Sequence, residues 1–339
     1  MGSSIIKLLL QKHGIELTGV YGRRAQRAGI DVGDALGLEA AIGVRITHDL
    51  PGTLASAQPH MAIQATCSTV AQAVDEITTL LSYGVNVISI AEEMAYPSCQ
   101  SPSIAEAIHR LALDNEVTVV GTGINPGFVL DFLVIALTGV CHTVDFIMAT
   151  RINDLSPYGP SVLTSQGVGL TPDAFFQGVA NGSVVGHVGF PESIHMIADA
   201  LGWQIDRIAQ HREPIVSRVR RETPFVTIEP GWTVGCRHTA VAYRNGTPVI
   251  HFIHPQQVHP HLEQVETGDV IEIVGEPHLH IASHPEIPGG IGTVALAVNM
   301  IPRVMTATPG LKSMAGLPTP AAIMGDIRTL MAERRTLHA

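Results

Sequence analysis

The stretch Met61-Ala-Ile-Gln-Ala-Thr66-Cys67-Ser68-Thr69-Val70-Ala-Gln-Ala-Val-Asp-Glu-Ile-Thr-Thr-Leu80-Leu-Ser-Tyr-Gly84-Val-Asn-Val-Ile-Ser-Ile90 decides the fold. Residues 61–66 form an apolar run short enough for a strand. Ser68 and Thr69 can cap a helix over 70–82, because their hydroxyls accept from the first free helical N–H groups. Gly84 closes that helix, and 85–90 is a second buried β run. Working outward, 4–11 predicts a helix ended by His13-Gly14, and 15–21 a strand. Downstream, 103–115 predicts another amphipathic helix and 117–121 another strand. Strands that are apolar throughout, separated by helices, are the pattern of a parallel sheet covered on both faces.

From about residue 145 the pattern changes. Strand-like runs at 146–151, 214–220, 226–228, 234–244, 247–254, 270–274 and 278–282 outnumber the helices expected at 171–180 and 193–201. Helices return at 294–305 and 318–333. The expectation is an α/β chain: a parallel-sheet domain over 1–130, a second α+β domain on a mostly antiparallel sheet over 131–293, and C-terminal helices over 294–339 that return to the first domain. A length of 339 residues suits two domains.

Composition narrows the function. Net charge is −10, and Lys7, Lys12 and Lys312 are the lysines, so a surface that tracks nucleic-acid phosphates is disfavoured. No long apolar span predicts a membrane helix. The N-terminus lacks the pattern of an export signal, and Cys67, Cys99, Cys141 and Cys236 lie far apart, so the protein is expected in the cytoplasm with reduced thiols.

A dinucleotide-binding sheet should open with a strand feeding G-x-G-x-x-G, which places a pyrophosphate at a helix N-terminus. Here Gly2-Ser3 lead straight into helix, as if a Rossmann-like fingerprint were entered at its third glycine with the first strand truncated. Val20-Tyr21 then falls at the usual ribose-reading distance. Gly22-Arg23-Arg24, with Arg27, stands where an acidic residue would accept a 2′-hydroxyl. Guanidinium groups there favour a 2′-phosphate, hence NADP, with NAD possible.

Other motifs follow strands, at the end of a parallel sheet where ligands bind. Glu92-Glu93, in Ser89-Ile-Ala-Glu-Glu-Met-Ala-Tyr96-Pro97, is a carboxylate pair suited to proton transfer if desolvated. The plainer reading is that acids collect at a helix N-terminus. Gly121-Thr-Gly-Ile-Asn125-Pro126-Gly127-Phe128 forms a tight turn that lets a ligand approach backbone. Gly186-His187-Val-Gly-Phe190-Pro-Glu-Ser193 opens a helix, with His187 either structural or substrate-orienting. The histidines at 251, 254, 259, 261, 278, 280 and 284 lack metal-ligand spacing, so no metal is expected. No G-x-S-x-G elbow occurs.

Together these segments, with Pro288-Gly-Gly-Ile-Gly-Thr293, Asn299-Met-Ile-Pro302 and Pro309-Gly-Leu311, resemble the 2,4-diaminopentanoate dehydrogenase family and its relatives the native amine dehydrogenases, cousins of dihydrodipicolinate reductase. The resemblance runs in order over nearly the whole chain. It implies NAD(P)-dependent oxidative deamination of an amine or diamino acid to a ketone with release of ammonia, reversible as reductive amination. It puts acid/base work on Glu92 or Glu93. It puts the cofactor against Gly2, Ser3, Arg23, Arg24, Thr66, Cys67, Ser68, Asn125, Pro126 and Gly127. The substrate would meet Tyr96, Phe128, Arg151, His187 and Phe190. A homodimer through the second-domain sheet is expected. Relatives carry the full first strand and glycine loop, so a late start site is the expected reason for its absence here. Two alternatives stand beside this reading: a dihydrodipicolinate reductase-like imine reductase, which would want a lysine-bearing loop in a nearly lysine-free chain, and a non-catalytic cofactor-sensing protein.

Overall fold

The computed structural model describes residues 1–337, and the chain divides into two compact units, residues 1–128 with the chain from Gly289 onward, and residues 129–288. In the first unit, α1 (Gly2–Leu9) precedes β1 (Val20–Tyr21), α2 (Val32–Leu36) and β2 (Ile46–Thr47), and β1 and β2 pair in parallel. Asp31 caps α2, accepting from Gly33 N–H at 2.7 Å and from Gly43 N–H at 2.9 Å. Next come α3 (Leu50–Ala57), β3 (Met61–Gln64) and α4 (Val70–Ser82), where Thr69 Oγ1 accepts from Gln72 N–H at 3.3 Å, the cap read from sequence. Val70, Ala73, Ile77, Leu80 and Leu81 recur at helical spacing and are buried, so one face of α4 lies in the core. β4 (Asn86–Ser89), α5 (Pro102–Asp114) and β5 (Thr118–Gly121) complete this part, with β3–β4 and β4–β5 in parallel register.

The second unit contains α6 (Phe132–Thr138), β6 (Thr143–Asp154), α7 (Pro160–Ser165), α8 (Pro172–Asn181), α9 (Phe190–Ala200), β7 (Arg207–Val216), β8 (Arg221–Glu222), β9 (Thr227–Ile228), β10 (Thr233–Arg244), β11 (Thr247–Gln257), β12 (Gly268–Glu276) and β13 (Leu279–Ser283). Its main sheet has the order β13-β12-β6-β11-β10-β7 and is antiparallel except where β6 meets β11. The β10–β11 hairpin turns on Asn245 (φ 50°) and Gly246 (φ 75°), the residue pair that a tight turn with two positive φ angles selects. Ile147, Ala149, Phe190, Ile194, Ala240, Ile250 and Phe252 are buried here.

The chain re-enters the first unit as α10 (Gly289–Asn299), α11 (Ile301–Met305), β14 (Gly310–Lys312) and α12 (Ile327–Leu337). β14 adds to β5, so the larger sheet reads β14-β5-β4-β3, all parallel. A Rossmann-like parallel-sheet unit and a mostly antiparallel α+β unit are thus both present.

Several predicted elements are corrected. The strand predicted at 15–21 pairs only at Val20–Tyr21, because its far edge meets a cavity instead of a neighbouring strand. The strand at 214–220 shifts to Arg207–Val216, since the chain beyond turns about the buried Arg221 guanidinium, whose Nε donates to Ser217 Oγ at 2.8 Å. The helix at 294–305 starts earlier and breaks at Met300, just before Pro302. The helix at 318–333 begins only at Ile327, past Pro318 and Pro320. The parallel sheet is also not continuous. It is split into β1-β2 and β14-β5-β4-β3, with an apolar cavity of about 730 Å³ lined by both Val20–Tyr21 and Met61–Gln64.

Candidate active site

The carboxyl ends of β3, β4 and β5 lie side by side and carry polar residues that an apolar strand would otherwise lack. Ser89 Oγ, fully buried, donates to Gln64 Oε1 at 2.5 Å and accepts from Ala91 N–H at 3.2 Å. Gln64 Nε2 donates to Thr66 Oγ1 at 2.7 Å, to Cys67 Sγ at 3.1 Å and to Glu76 Oε2 at 3.2 Å. Thr66 Oγ1 also donates to Glu76. These bonds fix the turn Thr66-Cys67-Ser68 at the mouth of β3.

β4 hands over to a 3₁₀ turn, Glu92–Ala95, that presents both acids. Their environments differ. Glu93 Oε2 accepts from Val70 N–H at 2.7 Å, and Glu93 N–H donates to Ser68 O at 3.2 Å, so this carboxylate clamps the first turn of α4. Burial pushes the Glu92 carboxyl above its ordinary range, and the neighbouring Glu93 charge adds to the rise, while a hydrogen bond from Ser68 opposes it. One acid is a structural clamp, and the other is held above the ordinary carboxylate range by its desolvation.

The Glu92 turn packs directly on β5. A Cβ at Gly121 would overlap the Met94 carbonyl, so only glycine lets the turn approach. Thr122 N–H donates to Ser89 O at 2.8 Å, and Ile124 N–H to Thr293 Oγ1 at 3.1 Å. Gly127 holds φ at 120°. Within this turn Thr122 Oγ1 and both Asn125 side-chain atoms, Oδ1 and Nδ2, are buried without a partner among the described residues. Buried polar groups are rarely left unmet, so these atoms form a ready donor-and-acceptor set for a ligand. Pro126 is buried in the turn, Phe128 two residues on is half-buried, and so is Tyr96 after the Glu92 turn.

Gly2 and Ser3 open α1 with no side-chain cap, which leaves the first N–H groups of the helix uncommitted. Arg23 is not free: its Nε binds Glu76 Oε1 at 2.6 Å and its Nη2 donates to Gln72 O at 2.7 Å. Arg24, on the following turn, is exposed.

In the second unit the geometry reassigns Arg151. It is 2% exposed, its Nη1 pairs with Asp269 Oδ1 at 2.5 Å and its Nη2 donates to Ile287 O at 2.6 Å. An expected substrate contact is therefore a buried ion pair whose charge is already met. His187 and Phe190 do come together, with ring centroids 4.8 Å apart, and His254 stands 4.9 Å from His187. His187 N–H donates to His238 Nδ1 at 3.0 Å, and His254 Nδ1 bonds Arg151 O at 2.6 Å. Burial, reinforced by nearby cations, pushes His238 down to about 2 and His254 to about 3, and His187 well below its usual value, so all three rings are neutral. His187 Nε2 and His238 Nε2 have no partner among the described residues.

Sequence reasoning did not single out Gln64, Glu76, His238 or Asp269; Thr122 and His254 fell in motifs it named without a role of their own. Gln64 carried a signal, as a lone polar residue ending an apolar strand. Glu76 carried none, because its position on α4 reads as solvated surface until Arg23 is placed against it. Among the described residues, no three His, Cys, Asp or Glu side chains converge on a metal-sized site.

Comparison with known proteins agrees with this architecture. Residues 128–333 match the model of the 2,4-diaminopentanoate dehydrogenase C-terminal domain. The chain is 43% identical to the 2,4-diaminopentanoate dehydrogenase of Acetoanaerobium sticklandii, over 98% of this chain and 95% of that protein. It is 23% identical to an amine dehydrogenase of Streptomyces virginiae, over 95% of each. The solved amine dehydrogenase of Mycobacterium smegmatis superposes with a TM-score of 0.84 at 26% identity, covering 95% of this chain and 94% of the other. The chain belongs to the 2,4-diaminopentanoate dehydrogenase family, and so to the nicotinamide-dependent oxidoreductases that act on amines.

Proposed function

We propose that the protein catalyses the reversible NADP-dependent oxidative deamination of a 2,4-diaminopentanoate-like amine to the ketone, with Glu92 as the acid/base. The observation that carries this reading is the half-buried Glu92, its carboxyl raised above the ordinary range by desolvation, near the unmet polar atoms of Thr122 and Asn125 at adjoining strand ends. A carboxamide offers one acceptor and one –NH₂ donor, which complement the Asn125 amide, so the residues present fit a nicotinamide. When bound, the nicotinamide ring supplies the acceptor for the hydride that leaves the amine-bearing carbon.

Glu92 takes a proton from the substrate ammonium, freeing the nitrogen lone pair that expels the hydride. Glu92 then releases that proton to solvent, and its carboxylate stabilises the positive charge of the resulting iminium. A water molecule then adds to the carbon. Glu92 takes a proton from that water's oxygen and passes it to the nitrogen; ammonia leaves as the hydroxyl oxygen's lone pair forms the C=O, and Glu92 takes the hydroxyl proton. Glu93 keeps the turn in place through Val70 N–H. The free helix start at Gly2 and Ser3 suits the pyrophosphate, and Arg24 suits the 2′-phosphate while Glu76 orients Arg23. His187 and Phe190 of the second unit, a neutral ring pair, are the residues proposed to contact the substrate.

Cytoplasmic residence and a homodimer belong to the same proposal. All four cysteines are free, and among the described residues no helix is long and apolar enough to cross a membrane. The test is Glu92→Gln. It should lower kcat for amine-dependent NADPH formation about 10²- to 10⁴-fold while NADPH binding, read by fluorescence, persists. Full activity in that variant would remove Glu92 from the chemistry.

A further inference from the structure

A line of hydrogen bonds crosses the strand ends of the first unit, from the arm that carries Arg23 and Arg24 to the turn that carries Glu92. Arg23 Nε donates to Glu76 Oε1 at 2.6 Å. Gln64 Nε2 donates to Glu76 Oε2 at 3.2 Å, and Ser89 Oγ donates to Gln64 Oε1 at 2.5 Å. Ala91 N–H, at the start of the Glu92–Ala95 turn, donates to Ser89 Oγ at 3.2 Å. Gln64 stands in the middle, 4% exposed, and its backbone oxygen also accepts from Ile90 N–H at 3.0 Å. Its side chain therefore belongs to both halves.

The direction of each bond is fixed. A carboxylate offers acceptors only, so Gln64 turns its –NH₂ toward Glu76 and its oxygen toward Ser89. The Ser89 hydroxyl accepts from Ala91 N–H and spends its single proton on that oxygen. Thr66 Oγ1 accepts from the same –NH₂ at 2.7 Å and itself donates to Glu76, which closes a small ring of bonds. The flipped amide would set its oxygen against the Glu76 carboxylate and its –NH₂ against the Ser89 proton. Buried networks of this kind hold one geometry, because breaking any member strands a polar group. The sheet itself does not need this side chain, since β3 pairs with β4 through backbone groups.

We propose that Gln64 is a positioning residue for the reaction, holding the Glu92 turn through Ser89 and the cofactor-selecting arm through Glu76. The proposal rests on the roles given above to Glu92 and to the Arg23–Arg24 arm. On one side, the bond from Ala91 N–H to Ser89 sets where the chain leaves β4, and with it where Glu92 stands. On the other side, Glu76 holds Arg23 Nε while Arg23 Nη2 donates to Gln72 O at 2.7 Å, and Arg24 follows directly on that anchored residue. Gln64 acts on acid and arm only through these neighbours. Its loss should therefore disturb turnover and the choice between NADP and NAD together.

The test is a set of variants in the full chain, read in two ways: kcat for amine-dependent NADPH formation, and NADPH and NADH affinity by fluorescence titration without amine. Gln64→Met keeps the side chain's length and removes its hydrogen bonds. It should lower kcat about tenfold and weaken NADPH binding about tenfold, each the worth of one lost hydrogen bond to a polar or charged partner, and leave NADH binding unchanged. Ser89→Ala should lower kcat alone, and Glu76→Gln should weaken NADPH binding alone. Ser89→Ala added to Gln64→Met should cost no further kcat, because the same link is already broken. Gln64→Glu keeps an acceptor for Ser89 but sets a second carboxylate against Glu76. It should keep kcat near the parent and lose NADPH preference, which decides the question if Gln64→Met does not fold. Multiplying losses in the double variant would overturn the proposal, as would a Gln64→Met protein with lowered Tm and parental kcat and NADPH affinity, or a Gln64→Glu protein that loses kcat and keeps its NADPH preference. The titrations need no turnover, so they judge the arm even if Glu92→Gln, by retaining full activity, removes Glu92 from the chemistry.

Discussion

Glu92 and Glu93 are adjacent in sequence and unlike in chemistry. The sign of the Glu92 effect on stability follows from its raised carboxyl. The folded state binds the proton more tightly than the unfolded chain, so stability is greatest below the ordinary carboxylate range and declines as pH rises through the shifted value. Glu92→Gln should therefore raise Tm at pH 8 relative to the parent and have little effect at pH 4, a difference that scanning calorimetry at the two values measures. Glu93→Gln should lower Tm at pH 8 by removing the charged acceptor at the start of α4. Arg24 carries the separate question of cofactor choice. Arg24→Ala should raise KM for NADP about tenfold, the worth of one charge-assisted hydrogen bond, and leave KM for NAD unchanged. The pair's position after a strand was legible from sequence. Its division of labour was not, because it depends on which carboxylate meets Val70 N–H and which is desolvated without that partner.

The strand-end turns were read correctly as elements, since strand, cap and glycine signals are local. Thr69 caps α4 as its sequence indicates, and Asn245-Gly246 makes a tight hairpin. The closeness of the Glu92 turn to β5 is different in kind. It arises because Gly121 has no Cβ where the Met94 carbonyl lies. Gly121→Ala should destabilise the protein by about 1–3 kcal/mol through overpacking. It should also cut kcat more than it raises KM if the displaced turn carries the proposed acid, Glu92. Denaturant melts and steady-state kinetics check the two halves. The strand predicted at 15–21 shows the opposite failure: its apolar residues have the right pattern, but an edge without a neighbour does not form a ladder.

The second unit owes its pH behaviour to burial that no local pattern reveals. His187, His238 and His254 are neutral in the fold, with His238 near 2 and His254 near 3, but titrate near 6.5 when unfolded. Stability is complete above that pH and falls as pH drops below it, by about 1.4 kcal/mol per pH unit for each ring that the unfolded chain protonates. Acid unfolding should begin near pH 6, and His238→Gln should shift its midpoint to lower pH, as circular dichroism across a pH series would show. The parallel-then-antiparallel layout, the helix caps, the turn glycines and the family were all carried by the sequence, because periodicity and short motifs act over neighbours along the chain. The desolvation of Glu92, the capture of Arg23 by Glu76, the pairing of Arg151 with Asp269 and the cavity between β1 and β3 were decided only by the tertiary fold. Desolvation and hydrogen-bond partnership are properties of contacts between residues far apart in the chain, and their outcome depends on the whole arrangement.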